Sequence, residues 1–334
     1  MGSRTVKVVV TGATGQVAYA LLPRIAAGEM FGPETDVDLR LADIPQMVEK
    51  AKGTIMELED GAYPLLSRVT AGSDRAETHK DVDWALLVGS VPRGPGMERG
   101  DLIRKNGPIF VEEGRAIAEH AGKNVRVVVV GNPCNTNCLI ARSAAGSAVP
   151  DDRWTALTRL DQNRARSLVA AKAGARVRDV KKLVIWGNHS ATLYPDFTNG
   201  YVGAKKITDT VDRTWLESEF LTAVQQRGAA VIAARGASSA FSAAQGVVDH
   251  VRSLMSPTAA DDWASVAVVS DGSYDVPQGL VSSFPIRVAG DGWWEIVQGV
   301  QLDAFANAKV RATVAELEKE RDLVQDLIAG KTAA

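Results

Sequence analysis

The strongest constraint on the fold of this chain is a series of short apolar, β-branched runs separated by segments of helical length. Residues 37–42 read as a strand in which Asp38 and Arg40 alternate with apolar residues, whereas 7–11, 84–89 and 125–131 are mostly apolar rather than alternating. The latter is the pattern of strands buried on both faces. Between them, residues 16–28, 53–66 and 106–121 carry helical spacing, and Pro23 predicts a kink or an early end in the first. Strand alternating with helix gives a parallel sheet covered on both sides. After about residue 155 the texture changes. Residues 161–173, 215–235, 238–254 and 300–328 read as helices, and 183–186, 265–270 and 284–289 as strands. The expected class is α/β, with a doubly wound parallel sheet over residues 1–155 and an α+β domain over 156–334. An active site is expected in the cleft between them.

The first strand runs into Thr11-Gly12-Ala13-Thr14-Gly15-Gln16-Val17-Ala18. Gly12 permits a tight turn, Gly15 a close backbone approach to pyrophosphate, and Ala18 close packing of helix on strand. The helix that follows then turns its N-terminus to the phosphates. Asp43 ends the second strand, where a carboxylate accepts from adenosine ribose hydroxyls and repels a 2′-phosphate. Together these predict an NAD site.

The remaining chemistry lies in three distant segments, Pro92 to Asp101, Arg159 to Arg164 and Gly187 to Ser190. Asp161 and Arg164 are i, i+3 at a helix start and share a face. His189 follows a strand end. A neutral His189 can take a hydroxyl proton as hydride leaves the same carbon, with Asp161 fixing its tautomer. Arg164 can grip a carboxylate through two parallel hydrogen bonds. Arg93 and Arg99 lie in a glycine-rich loop suited to closing over substrate, and Arg93 would account for a second carboxylate. The set suits hydride transfer on a small dicarboxylate.

Composition excludes several other classes. The chain has 334 residues, 46% apolar and 23% charged, with a formal charge of −2. This gives no electrostatic case for nucleic acid or an anionic membrane as partner. No apolar run has the length of a membrane span, and no secretory signal is visible before the first strand, so a cytoplasmic protein is expected. Cys134 and Cys138 form a C-x₃-C pair with no second pair to complete a zinc site, and no two of the four histidines have i, i+4 spacing. No metal is expected.

At these residues the chain resembles the cytosolic-type malate dehydrogenases of the lactate/malate dehydrogenase superfamily. The resemblance also takes in residues 88–93, 130–137, 157–164, 185–190, 235–240, 271–274 and 279–284. It implies a Rossmann domain followed by a catalytic domain, a homodimer, and reversible oxidation of L-malate with NAD. His189 and Asp161 would be the proton relay. Arg93, Arg99, Arg164 and Asn132 would bind substrate, with Arg99 also polarising the reacting oxygen. Asn106, Val130, Gly131 and Asn132 match cofactor-contacting positions, alongside Gly12, Gly15, Gln16, Val17, Ala18 and Asp43. One departure is Glu113, where similar enzymes commonly carry Gln. Another is Phe241, in place of a smaller residue, which is expected to reshape the edge of the pocket. Two rival readings remain. Tyr201 and Lys205 have the spacing of a short-chain reductase pair, which would need both on one helix face. A non-catalytic dinucleotide binder would be free to lose the histidine or an arginine.

Overall fold

The computed structural model describes residues 4–92, 96–290 and 292–330. It divides into two compact units, one of Met1–Ala156, Ala240–Arg252 and Glu320–Ala334, the other of Leu157–Ser239 and Ser253–Lys319. The expected single break after residue 155 is therefore more involved in the structure, because the chain returns twice to the first unit. The returns have local causes. Arg24 donates to the Gln245 side chain at 2.7 Å, His250 Nε2 lies 3.0 Å from Thr155 Oγ1, and Leu327 packs over Gly107.

In the first unit, six strands pair in parallel: β1 (Arg4–Thr11), β2 (Thr35–Ala42), β3 (Leu66–Gly72), β4 (Trp84–Leu87), β5 (Arg126–Val129) and β6 (Trp154–Ala156). Their order is β3-β2-β1-β4-β5-β6. The order reverses at β1/β4, the position where doubly wound folds bind ligands at the strands' carboxyl ends. Consecutive residues Val8, Val9 and Val10, and likewise Val127 to Val129, are wholly buried. Because neighbours on a strand point to opposite faces, both faces of the sheet are covered.

The helices of this unit are α1 (Gln16–Ala26), α2 (Val48–Asp60), α3 (Arg75–Thr78), α4 (Arg99–His120) and α5 (Cys134–Ala145). Pro23 is accommodated inside α1. Two expectations are corrected. Leu66 opens β3 rather than ending a helix, and Ser67 and Arg68 behind it are exposed, so the strand carries no apolar signal. The helix expected from residue 106 begins at Arg99, with Pro108 inside it. Arg99 is thus the first residue of a helix, not part of a loop.

The second unit opens with α6 (Arg159–Lys172), followed by β7 (Val180–Lys181), β8 (Val184–Trp186), β9 (Tyr194–Asp196), β10 (Tyr201–Val202) and β11 (Lys205–Lys206). Helices α7 (Ile207–Thr210), α8 (Arg213–Trp215), α9 (Leu221–Gln225), α10 (Arg227–Arg235) and α11 (Phe241–Met255) come next, the last lying mostly in the first unit. Strands β12 (Ala264–Val269), β13 (Val281–Val288) and β14 (Trp294–Ile296) form an antiparallel run. Helices α12 (Ala304–Asp322) and α13 (Gln325–Ile328) end the described chain. The helix expected over 215–235 is interrupted by a π-helical stretch at Leu216–Phe220 and again at Gln226. Tyr201 and Lys205 lie on the hairpin of β10 and β11, turned at Gly203 with φ +59°. They share no helix face, which removes the short-chain reductase reading.

Candidate active site

At the carboxyl end of β1 the backbone doubles back so tightly that no side chain fits. Gly12 has φ +60°, and a Cβ there would fall 2.4 Å from Gly89 Cα. Gly15 caps α1 with no side-chain hydrogen bond, which leaves the first N–H groups of the helix open to an anion. Gln16 is exposed, Val17 half-buried and Ala18 buried. These features fit a pyrophosphate. Asp43 closes the turn from the other side. Its Oδ2 accepts from the Thr14 N–H at 2.9 Å and the Thr14 hydroxyl at 2.8 Å, and its Oδ1 from the Ile44 N–H at 2.9 Å. A carboxylate has about four lone-pair sites. Accepting both hydroxyls of a ribose, as the sequence led one to expect, therefore requires the Thr14 hydroxyl to turn away.

Beyond β5, Val130 and Gly131 both donate to the Leu87 carbonyl, at 2.9 and 3.0 Å. Asn132 follows and is exposed. Asn106, expected at the cofactor, is wholly buried and committed to bracing. Its Oδ1 accepts from the Val91 N–H at 2.8 Å, and its Nδ2 donates to the carbonyls of Val91 at 3.2 Å and Asn132 at 3.1 Å. It fixes the loop after β4 to the end of β5.

Glu113 lies two turns further along α4 and is buried. It accepts from Arg75 Nε at 2.8 Å, and its Oε2 lies 3.0 Å from Nε2 of the wholly buried His79. Burial pushes this carboxyl up. The His79 ring and the Arg75 guanidinium together overcome that and hold it below the usual carboxylate value. The acidic departure from Gln is thus answered by two basic partners.

Arg99 heads α4, where a cation opposes the helix dipole. Asp101 in the same turn accepts from the Glu98 N–H at 3.1 Å, and the Arg99 Nε donates to Glu320 Oε1 at 2.5 Å. Glu320 is buried and also accepts from the Thr136 hydroxyl. The expectation of an arginine in a loop thus gives way to one paired with a carboxylate from the far end of the chain. Arg93 lies outside the described residues.

In the second unit, α6 and the turn after β8 meet. His189 Nδ1 is hydrogen-bonded to Asp161 Oδ2. Asp161 is 1% exposed, while the His189 ring keeps 20% of its surface open. Arg164, one turn along α6, reaches Asp161 Oδ1 at 3.4 Å and donates to Ser239 Oγ at 3.2 Å. Burial lowers the Arg164 pKa from its ordinary value; Asp161 opposes this and the charge of Arg227 adds to it. A desolvated guanidinium with only long contacts gains from an incoming carboxylate. Ser239 lies in the 235–240 segment of the resemblance but was given no role there, and Thr313 and Glu316, which hold the 188–192 turn, gave no sequence signal. Phe241, expected at a pocket edge, is 81% exposed at the start of α11.

Among the described residues no group of three or more His, Cys, Asp or Glu side chains could hold a metal, and no helix is long and apolar enough to cross a membrane. Residues 6–151 match the family model for the lactate/malate dehydrogenase NAD-binding domain, and residues 158–328 that for the α/β C-terminal domain. A malate dehydrogenase of Magnetococcus marinus is 51% identical over 326 residues, 97% of this chain and 99% of that protein. A malate dehydrogenase structure from Naegleria fowleri is similar with a TM-score of 0.93 at 39% identity, over 98% of this chain and 100% of that one. A Trichomonas vaginalis lactate dehydrogenase solved with NADH and oxamate gives 0.92 at 33% identity, over 97% and 99%.

Proposed function

Since the chain belongs to the lactate/malate dehydrogenase family, we propose that it interconverts L-malate and oxaloacetate with NAD. The observation that carries this reading is the His189–Asp161 pair with Arg164 one helical turn away. His189 Nδ1 faces the carboxylate, so the proton there is held and Nε2 is the atom that exchanges a proton with the substrate oxygen. Asp161 offsets the positive charge that the ring gains in malate oxidation. Arg164 grips the carboxylate next to the reacting carbon, and Arg99 leaves Glu320 to polarise the reacting oxygen. Arg93 takes the second carboxylate, the group that separates malate from lactate. Asn132, exposed at the end of β5, contacts both substrate and cofactor. NAD, when bound, supplies the hydride acceptor. Gly12, Gly15, Gln16, Val17 and Ala18 receive its pyrophosphate, Asp43 its adenosine ribose, and Val130 and Gly131 line its far end. Asn106 acts by bracing that segment.

The same reading makes the protein a homodimer of the cytoplasm. Tyr19 on α1 and Met56 on α2 are 51% and 62% exposed, and α10 buries none of its residues. Such apolar exposure suits contact with a second copy. Cys134 and Cys138 are free buried thiols, in keeping with a reducing compartment. The test is NADH oxidation followed by absorbance with oxaloacetate and with pyruvate. Turnover with oxaloacetate well above that with pyruvate is expected. Absence of turnover with oxaloacetate would overturn the reading. Light scattering after size exclusion should give a dimer mass.

A further inference from the structure

His189 is held by two elements. Its ring is bonded to Asp161 of α6, but the backbone that carries the ring is gripped by α12. Glu316 Oε2 accepts from Asn188 Nδ2 at 2.9 Å, from Thr192 Oγ1 at 2.7 Å, and from the Ser190 hydroxyl. One turn back on α12, the wholly buried Thr313 accepts from the Asn188 N–H at 2.9 Å and lies 3.0 Å from Thr192 Oγ1. Gly187 has φ +85°, and a Cβ there would fall 2.0 Å from the Thr313 methyl. The helix is therefore seated directly on the turn.

One carboxylate oxygen thus collects donors from both neighbours of the relay histidine and from the residue two further on. Acceptance by an ionised oxygen makes each of these bonds stronger than a neutral one. A single residue cannot fix a ring through its own Nδ1 contact alone, because the Cα must also be placed. Asp161 sets the direction of the imidazole, and the Asn188–Ser190 backbone sets its origin.

We propose that Glu316 is a positioning residue for the proton relay, fixing the turn that presents His189 to Asp161 without touching substrate. The kinetic consequence rests on the reading of His189 as the proton-transfer group; the geometric consequence does not. A displacement of about 1 Å in a reacting group can cost on the order of 10²-fold in rate. Glu316→Ala is expected to lower kcat for oxaloacetate reduction roughly 10- to 100-fold while the NADH dissociation constant, read by fluorescence, changes less than about twofold. Glu316→Gln keeps an acceptor at the same place and should recover most of the loss.

The independent readout is the His189 Nδ1–H resonance in ligand-free protein, displaced far downfield by the bond to Asp161. It should survive in Glu316→Gln and broaden or vanish in Glu316→Ala. Unchanged kcat and an unchanged resonance in folded Glu316→Ala overturn the proposal, as does a drop in melting temperature with kcat retained. If Glu316→Ala loses NADH binding and cooperative melting, Ser190→Ala/Thr192→Val removes two of the same contacts from the turn. Parental kcat and resonance in that folded variant would equally overturn the proposal. Should the unmodified protein fail to reduce oxaloacetate, the substrate reading is lost, and the resonance alone decides the role of Glu316.

Discussion

Asp161→Asn preserves volume at a position that is 1% exposed and changes two things at once. The first is orientation. Asp161 Oδ1 faces the Arg164 guanidinium and Oδ2 faces His189 Nδ1. An amide in that place turns its oxygen to the arginine, because a guanidinium has only donors. Its NH₂ then points at Nδ1, which must accept, and the ring proton moves to Nε2, the atom needed as a base. The second is charge. Two unit charges roughly 4 Å apart interact by about 4 kcal/mol at an effective dielectric near 20. At about 1.4 kcal/mol per decade that is close to 10³ in rate, inside the usual range of ~10² to 10⁴ for a general acid–base group. The expected result is a kcat lower by ~10² to 10⁴ in both directions, with NADH binding retained. Arg164 keeps Ser239 and the amide oxygen as partners, so the variant should still melt cooperatively. Steady-state absorbance assays, an NADH fluorescence titration and a melting curve on one preparation decide the matter. A folded, NADH-binding Asp161→Asn with kcat within about tenfold of the parent would falsify the relay, since even the low end of acid–base catalysis exceeds that.

Other outcomes follow from the same residues. Arg93→Leu should lose most activity on oxaloacetate and gain relative preference for pyruvate, since a site's unpaired polar group can cost ~10⁴ to 10⁵ in discrimination; an unchanged ratio of the two kcat/KM values would refute the role. The unmodified protein should prefer NADH to NADPH, and Asp43→Ser should narrow that preference; equal use of both cofactors by the parent would remove Asp43 as the selector. Glu113 is held below its ordinary value of 4.5 in the folded state, so its stabilisation is complete above that value and is lost as pH falls through and below it. Melting temperature should therefore fall on acidification below about pH 4.5. Glu113→Gln should melt lower at pH 7 by the loss of a charge-assisted contact, about 1.5–3 kcal/mol, and respond less to acid; parallel melting profiles for the two proteins would rule this out.

The parts legible in the sequence are those where physics acts over a few residues. The strands β1, β4 and β5 were visible because burial on both faces demands mostly apolar runs, and β2 because Val37, Leu39 and Leu41 alternate with charged residues. The turn at Gly12 was visible because only glycine tolerates that backbone against Gly89. Asp161 and Arg164 could be paired because i, i+3 residues share a helix face. β3 was missed because it presents no apolar run, and the breaks in the 215–235 helix because a π-helical stretch leaves hydrophobic spacing nearly intact.

The partners of three carboxylates were missed for another reason. Glu113, Glu316 and Glu320 each stand in an amphipathic helix, where an acidic residue reads as solvated surface. Their partners are His79, the 188–192 turn and Arg99, and the last two lie more than a hundred residues away. No periodicity encodes such pairing. Arg99 is the case with most consequence. The sequence suggested a cation waiting for an anionic ligand. The structure supplies a buried carboxylate already in contact with it, and a second donor, Thr136, shared by that carboxylate. If Arg99 polarises the reacting oxygen, the transfer exchanges one anionic partner for another. The arginine then never stands desolvated without a counter-charge, which would be the costliest state. The net gain on binding is the difference between two partners, small in the ground state and largest when charge builds on the oxygen, which is where an enzyme needs it.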